Sequence, residues 1–205
     1  MTDISDTATL RDHYPAALER SLRKQLDHLD SHCRRFIELS PFFVLASASP
    51  DGSVDASPRG GPPGFVLVED EHTLLVPDWP GNNRLDSLTN LAIAPGVGLL
   101  FMIPGVDETL RVNGTVAIRD EDDLRDRFAV DGRRSPRTVL VVSVREAYLH
   151  CAKALMRSRL WDPAAQVPRE TLPTMGEMLR DQIGSTEEPE TQAAMVERYS
   201  TMLYP

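Results

Sequence analysis

Four short segments of this chain carry residue types that can do chemistry. Ser57-Pro58-Arg59-Gly60-Gly61 brings a hydroxyl, a guanidinium and glycine amides to the point where a strand turns a tight corner, giving a backbone that a ligand can approach closely. Asp78-Trp79-Pro80-Gly81-Asn82-Asn83-Arg84 runs into a helix start. The amides there point outward with partial positive charge and Arg84 adds a full one, a seat suited to phosphate. Thr109-Leu110-Arg111-Val112-Asn113-Gly114 puts three polar side chains on one strand face. Lys153-Ala154-Leu155-Met156-Arg157-Ser158-Arg159-Leu160-Trp161 gathers cations and a tryptophan that could clasp a planar anion by ion pairing and stacking. Each segment also has a plainer reading: a β-corner with an exposed arginine, an asparagine helix cap, a solvated sheet face, and a basic helix end that offsets an acidic chain.

Other chemistries find little footing. The histidines at 13, 28, 32, 72 and 150 are scattered. His28 and His32 stand one helical turn apart beside Cys33, a pair that could hold a metal but that a solvated helix face explains better. The sequence has no Gly-x-Ser-x-Gly elbow, Rossmann fingerprint, P-loop or internal repeat. Cys33 and Cys151 read as two buried thiols. The alternative is a catalytic Cys151 flanked by His150 and Lys153, against which stands that adjacent strand residues face opposite ways, so His150 cannot easily activate the thiol. Acidic residues outnumber Lys and Arg by 31 to 22, a net charge of −9, which disfavours nucleic-acid binding and makes local arginine clusters more telling. No apolar run is long enough to span a bilayer and no secretory leader is visible, so the cytoplasm is the expected location.

The elements that must position these segments follow from periodicity. Leu18, Leu22, Leu26 and Leu29 recur at helical spacing and predict an amphipathic helix within residues 9–39, ended by Pro41. Residues 42–49 and 53–57 read as a hairpin around Pro50-Asp51-Gly52, and residues 65–69 and 73–77 as a second. A helix follows Arg84, with Leu85, Leu88, Leu91 and Ala92 on its apolar side and Pro95-Gly96 as its stop. Residues 97–103 form an apolar strand, 109–118 an alternating one, 121–128 a short charged helix and 137–144 another apolar strand. Short hairpin-linked strands argue for a mainly β, antiparallel barrel with flanking helices, not a parallel sheet. The chain divides into an N-terminal helical extension (1–40), a barrel domain (41–163) and a helical tail (164–205). Helices at 174–183 and 191–203 of that tail are too short to stand alone and are expected to pack on the core or on a partner subunit.

Taken in order, these segments resemble the pyridoxamine 5′-phosphate oxidase family of FMN-binding split-barrel proteins over residues 41–163. The pieces that match are 65–69, 73–78, Asn82-Asn83-Arg84, the Ala94-Pro95-Gly96-Val97 entry to an apolar strand, and 108–114. A bacterial subgroup of the family is matched more closely. The motifs there are Ser57-Pro58-Arg59-Gly60 with Pro62-Pro63-Gly64-Phe65, Pro80-Gly81-Asn82-Asn83-Arg84, and the late Cys151-x-Lys153-Ala154-x-Met156-Arg157-Ser158-x-Leu160-Trp161.

The resemblance implies a homodimer with FMN between subunits. Asn82, Asn83 and Arg84 would seat its phosphate, Arg84 standing where the family has lysine. Ser57, Arg59 and Gly60 would lie along the ring or ribityl chain, Thr109 would take the place of a flavin-contacting glutamine, and Asp78 and Arg111 join this cofactor set. Lys153, Arg157 and Trp161 would bind substrate or close the site from either chain, and Arg59 or Lys153 would stabilise an anionic reduced flavin. The family's Arg-x-Val-Leu-Leu-Lys strand is here Gly64-Phe65-Val66-Leu67-Val68-Glu69, without either cation, and its C-terminal Arg-x-His substrate element is missing. The resemblance therefore implies an FMN-dependent oxidoreductase acting on a small organic molecule other than pyridoxamine phosphate. The alternatives are a non-catalytic flavin, deazaflavin or haem binder on the same barrel, and an empty dimeric scaffold.

Overall fold

The alternation that begins at Phe42 folds as strand β1 (Phe42–Ala48), which turns at Pro50-Asp51-Gly52 and returns as β2 (Val54–Gly60). The turn is built from its own polar groups: Ser53 N donates to Asp51 Oδ1 at 2.9 Å, and Gly52 takes the left-handed φ of 90° that a side chain resists. This computed structural model describes residues 3–129 and 135–203, so the outermost residues of both predicted terminal extensions lie outside it. The remaining strands are β3 (Leu67–Val68), β4 (Thr73–Asp78), β5 (Gly96–Met102), β6 (Thr109–Arg119) and β7 (Thr138–His150). They form one antiparallel sheet in the order β2-β1-β5-β6-β7-β4-β3, the mainly β architecture with flanking helices that the pattern predicts, a split barrel. Among the described residues no helix is long and apolar enough to cross a membrane.

Phe43, Leu45, Leu74, Val76, Leu99, Phe101, Leu110, Val112, Leu140 and Val142 point to one side of the sheet and form the core. Helix α3 (Ser31–Leu39) packs on that core through Cys33, Phe36 and Ile37, with Leu29 just before it fully buried. A smaller cluster of Leu75, Phe128 and Val139 covers the other side of β4 and β7.

The helix expected over 9–39 is instead three: α1 (Thr7–Asp12), α2 (Glu19–Arg23) and α3. Pro15 interrupts the first stretch by removing a donor. Leu26 then leaves helical geometry to pair with Ala147 of β7, exchanging N–H···O bonds of 3.0 and 2.8 Å. A tertiary strand bridge outweighs local propensity there, and Leu18 and Leu22 are left exposed.

Strand β7 runs six residues beyond the predicted 137–144 segment, because β6 offers it partners up to the Thr109–His150 pair. A bulge at Asn113/Gly114 accommodates Arg145, the extra residue on β7. Helix α4 (Asp86–Ile93) starts one residue after Leu85, and α5 (Asp122–Asp126) follows β6. Helix α6 (Lys153–Ser158) leads to α7 (Met175–Ile183) and α8 (Gln192–Met202).

Candidate functional site

Register decides which polar side chains meet. Asp55, Ser57 and Arg59 of β2 stand opposite Ser47, Leu45 and Phe43 of β1, so all three face the core side of the sheet. Asp78, the last residue of β4, shares that side with Leu74 and Val76. The chain then enters a turn in which Asn83 and Leu85 adopt left-handed φ values of 59° and 61°, uncommon for residues with side chains. Arg84 N donates to Asn82 Oδ1 at 3.0 Å, and Arg84 Nε to Asp86 Oδ2 at 2.8 Å. Leu85 is the N-cap of α4 and has no oxygen to offer its first-turn amides, so the predicted asparagine cap is not made.

These pieces enclose a cavity of about 140 Å³ lined by Ser57, Arg59, Asp78, Asn82, Asn83 and Arg84, together with Asp86 and Ser87. Six of the residues predicted from sequence therefore converge from two strands and a turn. Arg59 Nη2 lies 3.7 Å from Asp78 Oδ1, at side-chain exposures of 27% and 13%. Burial pushes the Asp78 carboxyl above its ordinary value, and Arg59 pulls it back only in part. Among the described residues, Arg59 Nε is buried without a hydrogen-bond partner. A buried guanidinium donor left open beside an uncapped helix start is chemically matched to an anion.

The sequence reading passed over three neighbours. Ser87 is buried, with Oγ 2.5 Å from Asp55 Oδ2 and 2.9 Å from Ser57 Oγ, while Ser57 Oγ also donates to Asp55 Oδ2 at 3.0 Å. Asp55 was discoverable from its alternation with Ser57 and Arg59. Ser87 had no local signal. The third, Thr138, stands opposite Asp78 in register with its buried hydroxyl unpartnered.

The other predicted residues lie elsewhere. Thr109 and Arg111 of β6 pair with His150 and Tyr148 of β7 and project to the opposite side of the sheet from Leu110 and Val112. There they line a cleft of about 650 Å³ with Leu100, Met102, Lys153 and Arg157. The Arg111 guanidinium sits 5.2 Å from the Tyr148 ring centroid. Burial, reinforced by Arg111 and Lys24, lowers the His150 value, and its Nε2 is buried without a partner. Trp161 lies outside that cleft and donates from Nε1 to the Val106 carbonyl at 2.9 Å, tying the segment after α6 to the β5–β6 connection. Gly60 lines neither cavity. Cys151 is exposed, not buried as expected: it lies beyond the end of β7, where the Lys153 amide lowers its thiol value. Cys33 is buried, its thiol pushed up to about 12. Among the described residues no group of His, Cys, Asp and Glu could hold a metal ion.

The family model described as pyridoxamine 5′-phosphate oxidase matches residues 29–151, more than half of the chain. HupZ from Group A Streptococcus is similar at 14% identity, with 58% of this chain and 90% of that chain covered and a TM-score of 0.48. An FMN-binding protein from Syntrophomonas wolfei shares 11% identity over 70% of this chain and 96% of its own, with a TM-score of 0.43. General stress protein 26 from Bacillus anthracis shares 16% identity over 58% and 93%, with a TM-score of 0.42. No curated protein matches the chain by sequence.

Proposed function

This chain belongs to the pyridoxamine 5′-phosphate oxidase family, and from that premise we propose that it is an FMN-dependent oxidoreductase acting on a small organic substrate. Arg59 and the open start of α4 hold the phosphate, with Asn82, Asn83 and Arg84 forming the rim of the seat. The observation that carries this reading is Arg59 Nε, a buried donor without a partner among the described residues, in a cavity also lined by Leu85, Asp86 and Ser87 at the start of α4. Bound FMN supplies hydride and electron transfer; the protein supplies position and electrostatics.

Thr109, Arg111, Lys153 and Arg157 lie on the opposite side of the sheet from Arg59 and cannot reach the same ligand within one chain. They come to the flavin from a second copy, so the working unit is a homodimer with cofactor at the interface. The substrate differs from pyridoxamine phosphate. Glu69 stands where the family resemblance implies a cation, and Arg127 Nη2 donates to its Oε2 at 2.5 Å.

Quenching of flavin fluorescence tests the seat. Arg59→Ala should weaken FMN binding by about 1.5–3 kcal/mol, tenfold or more, since a hydrogen bond to a charged group is lost. Riboflavin, which lacks the phosphate, should bind parent and variant alike. Arg84→Ala should cost less, because that guanidinium is 73% exposed and already paired with Asp86. Equal FMN affinity in parent and Arg59→Ala removes the assignment. Bleaching of the bound flavin by NADH or NADPH and its return in air identify an enzyme; a yellow protein inert to every donor is a carrier.

A further inference from the structure

We infer that Asp78 takes up a proton when an anionic group docks at Arg59, so that binding in this cavity is proton-coupled. The inference rests on the anion-seat reading given above. Asp78 closes the inner end of β4 at 13% exposure, and its near countercharge is Arg59 at 3.7 Å, beyond hydrogen-bond reach.

Among the described residues, the other charges around it are committed elsewhere. From the turn and α4, Arg84 and Asp86 pair with each other at 2.8 Å. From β2, Asp55 accepts from Ser57 and Ser87. Just before β7, Arg137 is exposed, and the residue of β7 opposite Asp78 is the uncharged Thr138.

An anion that engages Arg59 offsets the one charge among the described residues that favours an ionised Asp78. It leaves the carboxylate just as buried and sets a like charge beside it. Both changes favour the acid form, and burial already holds Asp78 above its ordinary value. The proton comes from solvent. Once protonated, Asp78 gains an O–H donor, which can serve the anion or the unpartnered Thr138 hydroxyl. The repulsion that a carboxylate would impose on a phosphate thus becomes a hydrogen bond.

The test uses the whole chain freed of ligand, with FMN and inorganic phosphate as probes. Carboxyl NMR follows Asp78 through a pH titration, the resonance being assigned by its loss in Asp78→Asn. We expect the midpoint to rise by about one pH unit or more with either probe bound. Between the free and bound midpoints, affinity should fall about tenfold per pH unit in the parent relative to Asp78→Asn, a comparison that cancels the probe's own titration. FMN bound with the Asp78 midpoint unmoved overturns the coupling and leaves the flavin reading standing. Phosphate raising the midpoint while FMN fails to bind supports the coupling and removes the flavin reading. Failure of both probes to bind overturns both.

Discussion

Arg59 and Arg84 look equivalent in the sequence, and the structure gives them different work. Arg59 sits inside the cavity with a donor to spare, whereas Arg84 lies mostly in solvent against Asp86. In the proposed seat, desolvation makes the first the stronger anchor, while the second is screened by solvent. The two thiols divide in the same way. Burial drives Cys33 up to about 12, so it stays protonated and inert, while Cys151 is exposed and held below its ordinary value by the Lys153 amide. Iodoacetamide at about pH 8 should therefore label Cys151 in the folded protein and reach Cys33 only after denaturation, as peptide mass spectrometry would show. Labelling of both in the native state would contradict the packing of α3. That Ser57 and Arg59 share a strand face was legible in the sequence, because alternation puts them there. Ser87 was not, since its partner Asp55 is 32 residues away and the two meet only when α4 folds against β2.

At the scale of elements, the β6–β7 pairing depends on one glycine. A Cβ at Gly114 would run into the backbone carbonyl of Ser143, at the place where the bulge lets β7 carry Arg145 and continue to His150. Gly114→Ala should cost about 1–3 kcal/mol of stability in urea melting, as overpacking against an unyielding backbone does. An unchanged midpoint would mean that the bulge relaxes. The same pairing explains the shorter helices at the N-terminus. Periodicity alone favours one continuous helix, but β7 has an edge to offer and Leu26 takes it. The start of α4 shows local strain of another kind: Asn83 and Leu85 hold left-handed backbones, and the helix keeps its first turn uncapped. Strain of that sort persists where surrounding structure enforces it, which suits a binding turn.

At the scale of the molecule, Arg59 and Arg111 face opposite sides of the sheet, and on the proposed reading a ligand that touches both draws on two chains. Mixing Arg59→Ala chains with Arg111→Ala chains tests this directly. In a two-fold dimer each mixed pair carries one site with both arginines and one with neither, so random exchange should restore about a quarter of the FMN sites. No recovery would mean that both arginines serve one chain's site or that Arg111 serves none. Helices α7 and α8 bury no residue within the described chain, and Met175, Leu179, Ile183 and Val196 stand exposed on them. By itself the sequence determined that short alternating segments would pair as an antiparallel sheet, that a Pro/Gly corner would follow β2, and that an arginine-bearing turn would open a helix. Those features are local, set by a period of two residues and by backbone preferences. Which strand faces look at each other was left to the tertiary structure, because alternation groups the residues of one strand while inter-strand register decides which groups share a side. That decision brought Arg59 to Asp78, hid Ser87 beneath Asp55, and turned Arg111 away from both.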